Sequence, residues 1–251
     1  MQWGQQGEDL MNNIGRAELL VVSLALSLGI AVGGYFVSQT LYNAKVGINT
    51  AEVKGLAERR VEADRAYWKI QYTVSGSGTT PVSKLYEQSE ADQSRIVSLL
   101  LESGFEQSEV SPGVIDYEKK EFRDDKQQLV EERHMLVGSI DVETGKVRLV
   151  SEARSKLNRL IAQGIDIQNN APAYHFTKLN EIKPAMVKEA TTNARIAANE
   201  FAADAGVKVG GIRDAQQGGF IIRDVGEEYG DTKSIEKEVR LVTAITFYLT
   251  D

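Results

Sequence analysis

WKIQYTVSGSGTTPVSKLYEQSEADQSRIVSLLLESG, from Trp68 to Gly104, changes its hydrophobic period halfway, and that change decides the fold class. Trp68, Ile70, Tyr72 and Val74 alternate with Lys69, Gln71 and Thr73. A period of two puts one side of a strand in a core and the other in water. Gly76-Ser77-Gly78 stops the strand. From Ser83, a residue able to cap a helix start, Leu85, Ile96, Leu99 and Leu100 follow helical spacing to Ser103, and Gly104 supplies a left-handed end. A half-buried strand followed by an amphipathic helix calls for a sheet with helices on one face.

Towards the C-terminus, Val114 to Phe122 and Leu129 to Val142 read as two long strands. The polar run Asp124-Asp125-Lys126-Gln127 suits a hairpin tip between them, and a projecting hairpin is a surface for a partner. A second helix spans about Lys146 to Gln163, with Val150, Ala153, Leu157, Leu160 and Ile161 on one face and Gly164 at its end. A strand across Ile165 to Leu179 is interrupted around Asn169 to Pro172. The longest helix starts near Ile182 with Pro184 in its first turn; Met186, Ala190, Ala194, Ala197, Phe201 and Ala205 form its buried stripe before Gly206. Strand pieces at Val207 to Arg213 and Phe220 to Ile222 precede a Gly- and charge-rich loop, Arg223 to Lys237, expected to be mobile. Val239 to Leu249 closes the chain as a central strand.

Towards the N-terminus, Val53 to Val61 forms a weaker strand, preceded by a polar stalk. Before that, Leu19 to Val37 reads LLVVSLALSLGIAVGGYFV, without a charge, and at about 1.5 Å per residue it can cross a hydrocarbon core of about 30 Å. Tyr35 and Tyr42 lie near one end, where amphipathic rings favour the headgroup level. A cleaved signal peptide fits less well, because the apolar run exceeds the usual length and Glu8 and Asp9 replace a basic cluster. Ala25, Gly29 and Gly33 recur every four residues, a smooth stripe that lets a neighbouring helix approach. The resulting division is a polar tail (1–16), a transmembrane anchor (17–38), a stalk (39–50) and one domain (51–251). Its class is α+β, with antiparallel-rich mixed sheets and about three long helices covering the same sheet face.

The net charge is −7, and Arg59, Arg60, Lys119, Lys120 and Arg123 are interleaved with acids, which argues against nucleic acid as partner. With no cysteine, thiolate chemistry and disulfides are excluded. The two histidines, His134 and His175, lack HxxxH or HxH spacing, so a metal site with Asp116 or Asp166 gains no support. Asp124-Asp125, Glu131-Glu132 and Glu227-Glu228 read as solvated charges, since acid–base work needs carboxyls in different environments. Gly218-Gly219 and Gly226 lack phosphate-loop spacing, and Ser75-Gly76-Ser77-Gly78 lacks the spacing of a nucleophile elbow. No catalytic, cofactor or metal residue is assigned.

Three stretches, VKGLAERRVEADRAYWKIQYTVSG (Val53 to Gly76), KEATTNARIAANEFAADAGVKVGGI (Lys188 to Ile212) and KEVRLVTAITFYL (Lys237 to Leu249), resemble the SIMPL-domain family over about Ala51 to Asp251. The resemblance implies a bacterial envelope protein that assembles into oligomers, with the domain outside the inner membrane and genetic links to oxidative and envelope stress. It brings no catalytic motif. Flanking charge alone, Arg16 against Lys45 and Lys54, slightly favours the opposite orientation, so the periplasmic placement rests on the resemblance. The polar start, MQWGQQGEDLMNNIG, departs from a simple secreted member. The expected function is therefore a single-pass, noncatalytic envelope protein, homo-oligomeric in a ring or cage, with the lipid bilayer and an envelope protein as further partners. A periplasmic binding or chaperone-like module is the alternative.

Overall fold

The computed structural model describes residues 16–45 and 49–250. In chain order the elements are α1 (Arg16–Lys45), β1 (Thr50–Glu62), β2 (Arg65–Ser77), α2 (Val82–Glu102), β3 (Val110–Pro112), β4 (Asp116–Arg123), β5 (Leu129–Thr144), α3 (Val147–Ala162), β6 (Asp166–Gln168), β7 (Ala173–His175), α4 (Leu179–Asp204), β8 (Lys208–Asp224) and β9 (Glu236–Thr250). The class is α+β with antiparallel sheets, as the change of period at Gly76 implies. The chain divides into two compact units. One comprises Met1–Val53, Arg195–Ala215 and Ile245–Asp251 so far as they are described, the other Lys54–Ala194 and Gln216–Ala244.

Two sheets form where a single covered face is expected. The six-stranded sheet runs β3-β5-β2-β6, with β4 also on β5 and β7 also on β2; the three-stranded sheet runs β1-β9-β8. Chain neighbours β1 and β2 thus belong to different sheets, because the C-terminal β9 takes the place beside β1. On the six-stranded sheet the alternation delivers Ala66, Trp68, Ile70 and Tyr72 to one buried face, opposite Thr144, Val142, Ile140 and Gly138. Ile96 and Leu100 of α2 and Val150, Ala153 and Leu157 of α3 join that core. Gly138 is required there: a Cβ would overlap the Tyr72 ring across the strand pair.

The second core, within the larger unit, packs Met186 and Ala190 of α4 on Ala57, Val239 and Leu241. Here β1 and α4 lie backbone to backbone. A Cβ on Gly55 would overlap the Ala190 carbonyl oxygen and fall 2.8 Å from the Ala194 nitrogen. Asn193 Nδ2 donates to the Leu56 carbonyl at 2.8 Å, fixing the approach.

Several local expectations need correction. Ser83 does not cap α2; the helix follows Pro81, whose carbonyl accepts from the Lys84 and Leu85 N–H groups. Helix α4 starts at Leu179, which places Pro184 inside it. Leu179 and Ile182 pack on the second core, and that packing extends the helix despite the lost N–H. Its buried stripe is Met186, Ala190, Ala194, Ala198 and Ala202, whereas Phe201 is 59% exposed. The stripe keeps a step of four, so it winds round the helix by about 40° per step and leaves Ala197 and Ala205 behind. β8 is one strand rather than two pieces; Gly218 fits against the Val242 carbonyl, close enough that a Cβ there would collide. Helix α1 continues to Lys45, through the first part of the expected stalk. Residues 1–15, 46–48 and 251, and with them most of the expected tail, lie outside the described residues.

Candidate functional site

The two histidines are not brought together. His134 lies opposite Gly76 and His175 opposite Arg65 on β2, eleven positions apart, roughly 36 Å along a strand. Among the described residues no group of three or more His, Asp or Glu could hold a metal. His134 is buried with both ring nitrogens engaged: Tyr117 Oη lies 2.8 Å from Nδ1 and the Gly78 carbonyl 3.2 Å from Nε2. The carbonyl can only accept, so Nε2–H is the donor on that side. This ties the β4–β5 hairpin to the Gly78 turn. Although a histidine thus sits beside the serine turn, Ser77 Oγ is shared with the Thr79 and Thr80 hydroxyls at 2.9 and 3.2 Å. His175 stacks edge-on against Tyr67 at 5.5 Å between ring centres.

Members of two of the three carboxylate pairs make structural contacts. Asp124 Oδ1 accepts from the Lys126 and Gln128 N–H groups at 2.9 and 2.8 Å, shaping the hairpin tip where Gln127 takes φ 62°. Glu132 meets Lys119 at 2.7 Å, and Glu131 pairs with Arg133. Glu227 and Glu228 are exposed.

Two buried polar groups escaped the sequence reading. The first ties the loop expected to be mobile. Lys237 Nζ, fully buried, donates to Asp224 Oδ1 at 2.5 Å and to the Asp231 carbonyl at 2.6 Å. The Lys233 and Ser234 N–H groups donate to the same carboxylate at 2.9 and 3.1 Å. Burial opposes ionisation of Asp224, but these three donors and the Lys237 charge outweigh it and hold the carboxyl below its ordinary value. A lysine just inside an alternating strand looks like a strand end, and only its place on the buried face of β9 marks it otherwise.

The second is Tyr72, whose buried hydroxyl faces the buried Ser89 hydroxyl without closing a hydrogen bond of full geometry. Burial pushes the Tyr72 phenol up. An unpaired buried hydroxyl contributes nothing to offset its desolvation, so Tyr72→Phe is expected to leave stability unchanged or raise it by up to about 1 kcal/mol. Thermal unfolding measures this; a loss above about 1 kcal/mol would show that the hydroxyl has a partner.

An open hollow of about 450 Å³ is lined by Ser151, Arg154, Ser155, Asn158, Asn169 and Tyr174. Arg154 Nε donates to Asn169 Oδ1 at 3.0 Å and its Nη2 to the Asn169 carbonyl at 3.2 Å, while Asn169 Nδ2 donates back to the Arg154 carbonyl at 3.3 Å. Asn170, next along, accepts the Trp68 indole N–H at 3.0 Å and fastens this turn to the core. Burial pushes the Tyr174 phenol up, with the Arg154 charge pulling the other way, so the ring enters the hollow as a neutral donor. Arginine and asparagine spaced fifteen residues apart, on a helix and an irregular turn, leave no periodic signal.

On α1, Ala25 and Gly29 line a shallow apolar hollow with Val22, Leu26 and Ile30. Nothing lies within 4 Å of a Cβ built on Gly29 or Gly33. The stripe of Ala25, Gly29 and Gly33 is therefore open.

Compared with known proteins, residues 51–238 match the family model SIMPL, described as a protein of unknown function (DUF541). No curated protein matches the chain.

Proposed function

The chain belongs to the SIMPL family, and from that premise we propose a membrane-anchored, noncatalytic protein that assembles with copies of itself in the bacterial envelope. Its role is scaffolding, enclosing or protective, linked to oxidative or envelope stress, with the domain on the periplasmic side. The observation that carries the anchor is Glu18–Tyr42: 25 residues of mean hydropathy 2.2, none of them buried by the rest of the protein. At about 1.5 Å per residue this helix exceeds a hydrocarbon core of about 30 Å. So much exposed apolar surface in water is strongly unfavourable, and lipid removes the cost.

Two features support assembly. The open stripe at Ala25, Gly29 and Gly33 lets helices approach closely in lipid. The hairpin of β4 and β5 exposes Phe122, Leu129 and Val130 beyond the part of β5 that β2 covers, and β4 has a strand partner on one edge among the described residues. The full chain is expected to fractionate with membranes and, in mild detergent, to sediment as one defined assembly. Gly29→Ile with Gly33→Ile should shift that assembly towards smaller species while leaving membrane retention intact. A strictly monomeric particle across a concentration series would sink the assembly reading. The second reading, a binding or chaperone-like module, is favoured by the hollow at Arg154.

A further inference from the structure

Four arginines among the described residues are half-buried: Arg59, Arg154, Arg223 and Arg240. Three of them face a carboxylate, Arg59 with Glu189, Arg223 with Glu238 and Arg240 with Glu58. Arg154 has none; it is held by a reciprocal clamp with the neutral Asn169. A guanidinium cannot shed its charge by deprotonating, so partial burial without a counter-ion is a standing cost. The cost is relieved when an anion arrives.

We propose that the hollow at Arg154 binds a carboxylate-bearing ligand. Asn169 engages Nε and Nη2, one side of the guanidinium, and leaves Nη1 without a partner among the described residues. The remaining end, Nη1 with the second Nη2 hydrogen, matches a planar carboxylate through two parallel hydrogen bonds. Charge count selects the anion. Arg154 is the one cation among the residues lining the hollow, which balances a single negative charge and falls short of a phosphate dianion.

The remainder of the lining suits a polar ligand body. Ser151 Oγ donates to the Arg148 carbonyl and Ser155 Oγ to the Ser151 carbonyl, so both hydroxyls keep lone pairs for a ligand's N–H or O–H. Asn158 and Tyr174 add an amide and a neutral phenol. The clamp sets the guanidinium before binding, so little rotamer freedom remains to be lost on association. A peptide terminus and an acidic sugar share this chemistry.

The test uses the full chain in mild detergent and three probes: N-acetylglycine, its neutral analogue N-acetylglycinamide, and inorganic phosphate. Binding is followed by calorimetry and by the nitrogen-15 signals of the arginine Nε–H groups. N-acetylglycine is expected to saturate and to move one Nε–H signal, with the amide at least tenfold weaker. Arg154→Gln should weaken the carboxylate at least tenfold, and Tyr174→Phe by a few-fold. Equal affinity for acid and amide, tighter binding of phosphate, or unchanged binding by Arg154→Gln would each overturn the proposal. If Arg154→Gln unfolds, the acid–amide contrast in the unaltered protein and the Tyr174→Phe variant still decide. Sedimentation of the same samples reports assembly separately, so the two readings stand or fall independently.

Discussion

Asp224→Asn is expected to destabilise the protein by about 3–5 kcal/mol, as breaking a buried ion pair from one side does. The substitution leaves the Lys237 ammonium fully buried with neutral acceptors and no counter-charge. It also replaces a carboxylate that takes three hydrogen bonds with an amide that carries one acceptor oxygen. Chemical unfolding of the full chain measures the loss. Replacing both partners together, Asp224→Leu with Lys237→Met, removes the uncompensated charge and should recover a large part of it. A double variant as unstable as Asp224→Asn would mean that the loop's hydrogen bonds, rather than the charge, dominate.

The same pair gives the protein an acid limit. The folded pKa of Asp224 lies below the ordinary aspartate value. Its contribution is therefore complete well above about pH 3.9 and is lost as pH falls through the folded pKa. Unfolding free energy should decline on acidification below about pH 4 in the unaltered protein and more shallowly in the double variant.

Gly55→Ala is the second large effect. Its methyl would overlap the Ala190 carbonyl oxygen and fall 2.8 Å from the Ala194 nitrogen, both backbone atoms that no rotamer change can move. Relief requires β1 to lift from α4, which also breaks the Asn193 bond to Leu56. A loss at or above the top of the usual overpacking range, about 3 kcal/mol, is expected. Gly145→Ala is the control, since the nearest atom to its Cβ is the Asp64 carbonyl at 3.6 Å, an ordinary contact. Similar melting temperatures for the two variants would show that β1 and α4 separate easily.

The parts of this fold that could be read in advance share one property: their cause is local. Alternation from Trp68 to Val74 depends on which side of one strand meets water, and Gly104 and Gly164 end their helices with φ of 106° and 97° as their places in the sequence imply. The parts that could not be read have distant causes. Pro184 lies inside a helix because Leu179 and Ile182 pack on a core built from β1 and β9. The strand partner of β1 comes from the far end of the chain. The hollow was invisible for the same reason, since Arg154 differs from other surface arginines only in what stands beside it. The separation of the two histidines was legible, because no short spacing joins them in the sequence.

Helix α1 ends at Lys45 and β1 begins at Thr50. Five peptide steps reach at most about 18 Å. With the helix in a bilayer, this short leash keeps the start of β1 near one plane, so that copies would meet by lateral diffusion rather than in three dimensions. If the chain assembles as proposed, fragments cut free at residue 49 are expected to associate more weakly than the anchored chain.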